Sequence, residues 1–240
     1  MKTSTKNRKS ILAFIFILGL PVLLFTSCVK QATNTYTSTP VAGLAFIQAS
    51  PDQPSVDLFV NNSRYNTTPI PYGTSYSYLT INAGKIPIAV YNDATMKAIV
   101  ADTIQFDKNI PYSLFLVNTV SHPQLFVLAD TLVKPATGDA GIRFINLSPD
   151  APAVDLVIKD GAALASNMSF KQHSVFSPLL GNTLYTLEVH AAGTSTVLAT
   201  IPSFKYQAGY VYTIWFHGLA AGTTNSNKLA ADVFLNGYFQ

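Results

Sequence analysis

An all-β chain built from two tandem β-sandwich domains is what this sequence predicts, on three observations. Short apolar runs are punctuated by Pro, Gly, Asn and Asp throughout residues 41–240, the pattern of strands and turns. No segment beyond the N-terminus carries a helical period. And one stretch occurs twice: Gly43 to Val60 reads GLAFIQASPDQPSVDLFV and Gly141 to Ile158 reads GIRFINLSPDAPAVDLVI, with ten of eighteen positions identical at an offset of 98. Further on, Tyr112 to Leu116 (YSLFL) answers Tyr212 to Phe216 (YTIWF) at an offset of 100. That period is too long for a solenoid repeat and suits tandem domains.

The N-terminus is read apart from the fold. Lys2, Lys6, Arg8 and Lys9 precede an apolar run from Ile11 to Phe25, the layout of a secretion signal over residues 1–27. The run is shorter than the roughly 18 apolar residues of a spanning helix. Phe25-Thr26-Ser27-Cys28 resembles the bacterial lipobox, although Phe25 stands where the pattern usually has Leu. The resemblance implies that Cys28 carries diacylglycerol. Cys28 is the single cysteine of the chain, and a thiol in an exported protein is open to oxidation unless its sulfur is committed. More than one acyl chain would make the anchor stable.

Residues 28–40 follow as a flexible tether rich in Thr and Ser. The first domain is expected over 41–132, with strands at 44–49, 56–60, 76–81, 86–91, 98–105, 112–118 and 125–129. A short polar linker, 133–140, implies some freedom between the copies. The second domain, 141–240, is expected to place strands at 142–147, 154–158, 184–190, 197–201, 210–216 and 229–235. Alternation turns Val56, Leu58 and Val60 inward and Asp57 outward, and likewise Val154, Leu156 and Ile158 against Asp155.

Charge excludes one class of partner. The chain has 15 basic and 12 acidic side chains; the four basic residues of the leader leave 11 against 12, with no basic stripe for nucleic acid.

The motif that recurs is S-P-D-x-P-x-V-D-L, at Ser50 to Leu58 and Ser148 to Leu156. It resembles the opening signature of the family known as domain of unknown function 4397, found in secreted and lipid-anchored envelope proteins, often of Bacteroidetes. The resemblance implies immunoglobulin-like or transthyretin-like antiparallel β-sandwiches and brings no activity with it. The residues themselves support a structural turn: Ser50, Pro51, Asp52 and Pro54, like Ser148, Pro149, Asp150 and Pro152, combine a preset φ with a carboxylate able to bond backbone N–H groups nearby. Asp57 and Asp155 join those turns in this reading. The alternative is a cation site at Asp52 and Asp57 or at Asp150 and Asp155, but two carboxylates fall short of a calcium shell. No metal or cofactor is therefore expected.

Catalytic residues are not predicted either. His122, His173, His190 and His217 lie in separate segments without ligand spacing, and Glu188 is the lone glutamate. A candidate binding surface is Arg64, Tyr65, Tyr72, Tyr76 and Tyr78, aromatics able to stack on a sugar or anchor a protein. The competing and favoured reading packs Tyr76 and Tyr78 side by side on one strand face. Together these readings point to a lipid-anchored, non-enzymatic envelope module that binds a protein or a glycan. An accessory to a glycan- or peptide-acting hydrolase, or a plain spacer, are the alternatives. The residues after Cys28 lack acidic side chains, so the outer membrane with the domains in the periplasm is expected rather than the cell surface.

Overall fold

The computed structural model describes residues 39–224 and 227–239, so the signal segment and Cys28 lie outside the described residues. Its sixteen strands fall into two sets of eight. The first set is β1 Val41–Gln48, β2 Val56–Val60, β3 Ser63–Arg64, β4 Ser75–Asn82, β5 Gly84–Asn92, β6 Ala98–Phe106, β7 Pro111–Val117 and β8 Gln124–Ala129. The second is β9 Asp139–Asn146, β10 Val154–Ile158, β11 Ala163–Met168, β12 Ser177–Leu180, β13 Thr183–Ala191, β14 Val197–Tyr206, β15 Tyr210–His217 and β16 Ala230–Tyr238.

Each set forms a two-sheet sandwich. Sheets β4-β1-β7-β8 and β3-β2-β5-β6 make the first; β12-β9-β15-β16 and β11-β10-β13-β14 make the second, with identical strand order. Pairing is antiparallel except that β1 runs parallel to β7 and β9 parallel to β15. The sheets are thus predominantly antiparallel, with one parallel strand pair in each sandwich. The expected strands are present with ends shifted by up to three residues, except that β14 runs five residues past the expected 197–201. The short strands β3, β11 and β12, all at sheet edges, were not expected. At the β2–β3 hairpin Asn61 and Asn62 both take positive φ, 50° and 62°, as a two-residue turn of the primed kind requires.

The inner faces hold two separate apolar cores. Leu44, Phe46, Val56, Leu58, Val90, Leu114 and Leu116 fill the first, and Ile142, Phe144, Val154, Leu156, Val189, Ile214 and Phe216 the second. A third cluster lies between the sandwiches. Ala45, Ile47, Phe115 and Val117 of the first meet Ile145, Leu147, Trp215 and Phe234 of the second. The alternate residues of β1 and β7 thus point away from their own core and into the other sandwich's sheet. This explains why β7 (PYSLFLV) and β15 (YVYTIWFH) are buried almost end to end: both of their faces are covered. The described residues fall within one compact unit, Ser38–Gln240.

Candidate functional site

The two signature segments make matching contacts. Ser50 Oγ donates to the Asn118 carbonyl, and Ser148 Oγ to the Gly218 carbonyl at 2.7 Å. Asp52 Oδ1 accepts from Val120 N at 2.7 Å, as Asp150 Oδ1 does from Ala220 N. Asn118 and Gly218 both have positive φ, and a side chain on Gly218 would run into the Lys228 carbonyl. The signature therefore clamps the loop after β7 or β15, some seventy residues away in sequence. The local bonds within its own turn that sequence reasoning expected from the aspartates give way to these long-range ones.

Asp57 and Asp155 differ. Asp57 is 2% exposed, and its Oδ1 accepts from Arg64 Nη2 at 2.6 Å and Asn66 Nδ2 at 2.8 Å. Asp155 bonds backbone, accepting from Asn167 N at 2.7 Å and Gly193 N at 2.9 Å. Among the described residues no three His, Cys, Asp or Glu side chains come together as metal ligands.

The five residues of the candidate binding surface do not share one surface. Arg64 pairs with Asp57. Tyr65 packs on the first core and donates to the Leu44 carbonyl at 2.7 Å. A register irregularity between Leu44 and Phe46 in the β1–β4 pairing turns Tyr76 to the first core and Tyr78 to the cluster between the sandwiches, so the two do not face the same way. Tyr72 and Tyr78 both reach the second sandwich.

Tyr78 belongs to a buried polar ring that sequence reasoning missed. Its hydroxyl donates to Asp130 Oδ2 at 2.5 Å and accepts from Asn236 Nδ2 at 2.8 Å. Ser113 Oγ also donates to Asp130 Oδ2. Asp130 Oδ1 stands 2.7 Å from Arg143 Nη2 as an ion pair outside hydrogen-bond geometry, with the two side chains 0% and 3% exposed. Arg143 donates to Thr213 Oγ1, which donates to Asn236 Oδ1 at 2.6 Å and closes the ring. Burial, followed by the Asp130 charge, pushes the Tyr78 phenol above its ordinary range. The signal that could have found this ring is a lone Arg inside the apolar run GIRFI.

Along the same seam, Tyr72 O–H meets His217 Nδ1 at 2.5 Å, and His217 Nε2 lies 2.9 Å from Asp232 Oδ2. With Nε2–H donating to the carboxylate, Nδ1 is the acceptor and Tyr72 the donor. Trp215, the single tryptophan of the chain, stacks on the imidazole at 4.0 Å between ring centres. Beside this chain opens a cleft of about 490 Å³ lined by residues of both sandwiches, among them Gln53, Ser55, Tyr72, His217, Lys228 and Asp232. Gln53 is 6% exposed, and its Nε2 has no hydrogen-bond partner among the described residues. Burial, then the Asp232 charge, raises the Tyr72 phenol above its ordinary range. Of the other histidines, His190 meets Glu188 at 2.9 Å, while His122 and His173 are exposed.

Residues 42–157 match the model of a family described as a domain of unknown function (DUF4397), a span that includes both copies of the signature motif. No curated protein matches the chain. Among solved structures it is similar to CBMbc, a family CBM26 module from Eubacterium rectale Amy13K determined in complex with maltoheptaose. Identity is 8% and the TM-score 0.26, over 81% of this chain and 95% of that one. At that score the likeness bears on neither the fold nor the ligand of this protein.

Proposed function

Over residues 42–157 the chain belongs to the DUF4397 family, and on that premise we propose that it is a non-enzymatic binding module of the cell envelope that holds its ligand in the cleft between the sandwiches. The carrying observation is the cleft itself: both copies contribute polar groups to it, and one of them, the Gln53 Nε2 amino group, is buried without a partner among the described residues. Diacylglycerol on Cys28 would anchor the module at the outer membrane with the domains in the periplasm. Cys28→Ala should abolish fatty-acid labelling and release the protein from membranes, and protease added to intact cells should leave the domains uncut.

One observation favours a second, enzymatic reading. Tyr72, His217 and Asp232 follow the order of nucleophile, base and orienting acid. Proton affinity argues against it, because the Tyr72 phenol is pushed up where an activated nucleophile would be pushed down. A screen of the full chain against glycan and peptide substrates tests this. Turnover lost in Tyr72→Phe would replace the binding reading by a catalytic one.

A further inference from the structure

We propose that the ligand of this cleft is an uncharged sugar residue, with the Gln53 amide as its recognition element; this deepens, and rests on, the binding reading above. The Gln53 side-chain amide offers two donors and an acceptor. A buried donor left unpaired is a standing cost to the fold, and a ligand oxygen placed against Nε2 would remove it. The charged side chains lining the cleft are Lys228 and Asp232, one of each sign, so the site gives no net attraction to an anion or a cation. A polyol uses both: its hydroxyl oxygens accept from lysine and its hydroxyl protons go to a carboxylate.

Asp232 is suited to that. Its Oδ2 faces His217 while its side chain remains 55% exposed, which leaves Oδ1 for a ligand hydroxyl. The Tyr72 ring supplies the apolar surface a pyranose needs on its C–H face. It is held in place through its hydroxyl by His217 and edge-on against the imidazole at 5.3 Å. A space of about 490 Å³ lies within the range of small-ligand sites and is open enough for a chain end or an internal residue of a glycan.

Trp215 provides the readout, since it stacks on the His217 ring that borders the cleft. The full chain, purified in detergent, would be titrated with neutral hexoses, N-acetylhexosamines and their disaccharides, and in parallel with glucuronate and glucosamine. Neutral sugars are expected to shift Trp215 emission saturably. Gln53→Met, which keeps the length and drops the amide, should weaken that binding about tenfold and leave the ligand-free melting temperature equal or higher, because the unpaired donor is gone. Lys228→Ala, at an exposed position, should weaken binding without touching the melting temperature. Preference for the charged sugars, or unchanged affinity in Gln53→Met, overturns the neutral-sugar assignment while binding at the cleft stands. If no sugar moves Trp215, the sugar site is overturned. The wider binding reading falls with it when peptides and envelope-protein fractions also leave the emission unmoved.

Discussion

The two sandwiches share their strand order and their signature contacts, and they differ most tellingly where they touch. Arg143 of β9 stands at the position of Ala45 in β1, by the constant offset of the repeat. Ser113 bonds Asp130 in the first copy as Thr213 bonds Asn236 in the second, so the carboxylate of one copy answers to an amide in the other. At the seam each copy thus buries one charge, of opposite sign to the other's, and neither could bury it alone without a large desolvation cost. The same face of both copies forms the contact, an arrangement close to that of a two-fold dimer, made specific by unequal substitution on its two sides.

Separating the copies should have the largest effect. Fragments 41–134 and 139–240 would each bare an apolar face, Ile47, Phe115 and Val117 in one and Ile145, Trp215 and Phe234 in the other. We expect the fragments to self-associate in sedimentation and the whole chain to melt in one transition. Two monomeric fragments as stable as the parent would show that the third cluster contributes little.

Next in size is the buried ion pair. Asp130→Ala leaves Arg143 charged and unpaired and should cost about 3–5 kcal/mol in denaturant unfolding. The double change Asp130→Asn with Arg143→Ala gives each copy the residue its counterpart carries and removes both charges. It should cost less than Asp130→Ala alone; a larger cost would mean the two positions act independently.

Much of the fold was legible in residues 41–240. The repeat, the turn residues and the alternation at Val56, Leu58 and Val60 locate the strands and both inner cores, and these triplets are buried or half-buried as alternation requires. The edge strands β3, β11 and β12 were not legible, because SR, ALASNM and SPLL are short and mostly lack a period, and β12 contains Pro178, which an edge strand tolerates. The meeting of the sandwiches left a trace in the unbroken apolar runs of β7 and β15, but such a run does not name its partner sheet. The seam cleft was least legible. Gln53 and Asp232 are 179 positions apart, and Tyr72 gains its partner His217 only through docking of the copies.

The two signature aspartates sharpen the comparison at a lower magnitude. Asp57 is buried and holds Arg64 and Asn66, so Asp57→Ala should cost about 1.5–3 kcal/mol. Asp155, half-buried and bonded to two backbone amides, should cost less on the same change, about 1 kcal/mol. Neither melting temperature should move between calcium and chelator, since a cation bound only by the folded state would stabilise it in proportion to occupancy. A calcium-dependent rise lost in either variant would make that turn a metal site.

The smallest expected effect is a gain. Tyr206 ends β14 where Phe106 ends β6, both rings are fully buried, and the Tyr206 hydroxyl has no hydrogen-bond partner among the described residues. Its burial also raises the phenol above its ordinary range. Tyr206→Phe, which copies the first sandwich, removes a buried polar atom at little loss of packing and should stabilise the protein by about 1 kcal/mol at neutral pH. The gain has a pH signature. Below pH 10, the ordinary pKa of a tyrosine phenol, the group is protonated in folded and unfolded chains alike and the advantage is flat. As pH rises above 10 the unfolded chain gives up the proton while the fold retains it. The native tyrosine then loses stability that phenylalanine keeps, so the difference between the two proteins should widen. Denaturant melts of both proteins at pH 7, 9 and about 10.5 would measure this; a Phe variant less stable at pH 7 would mean that the hydroxyl has a partner in solution, and a constant difference across the series would mean that its proton affinity is not raised.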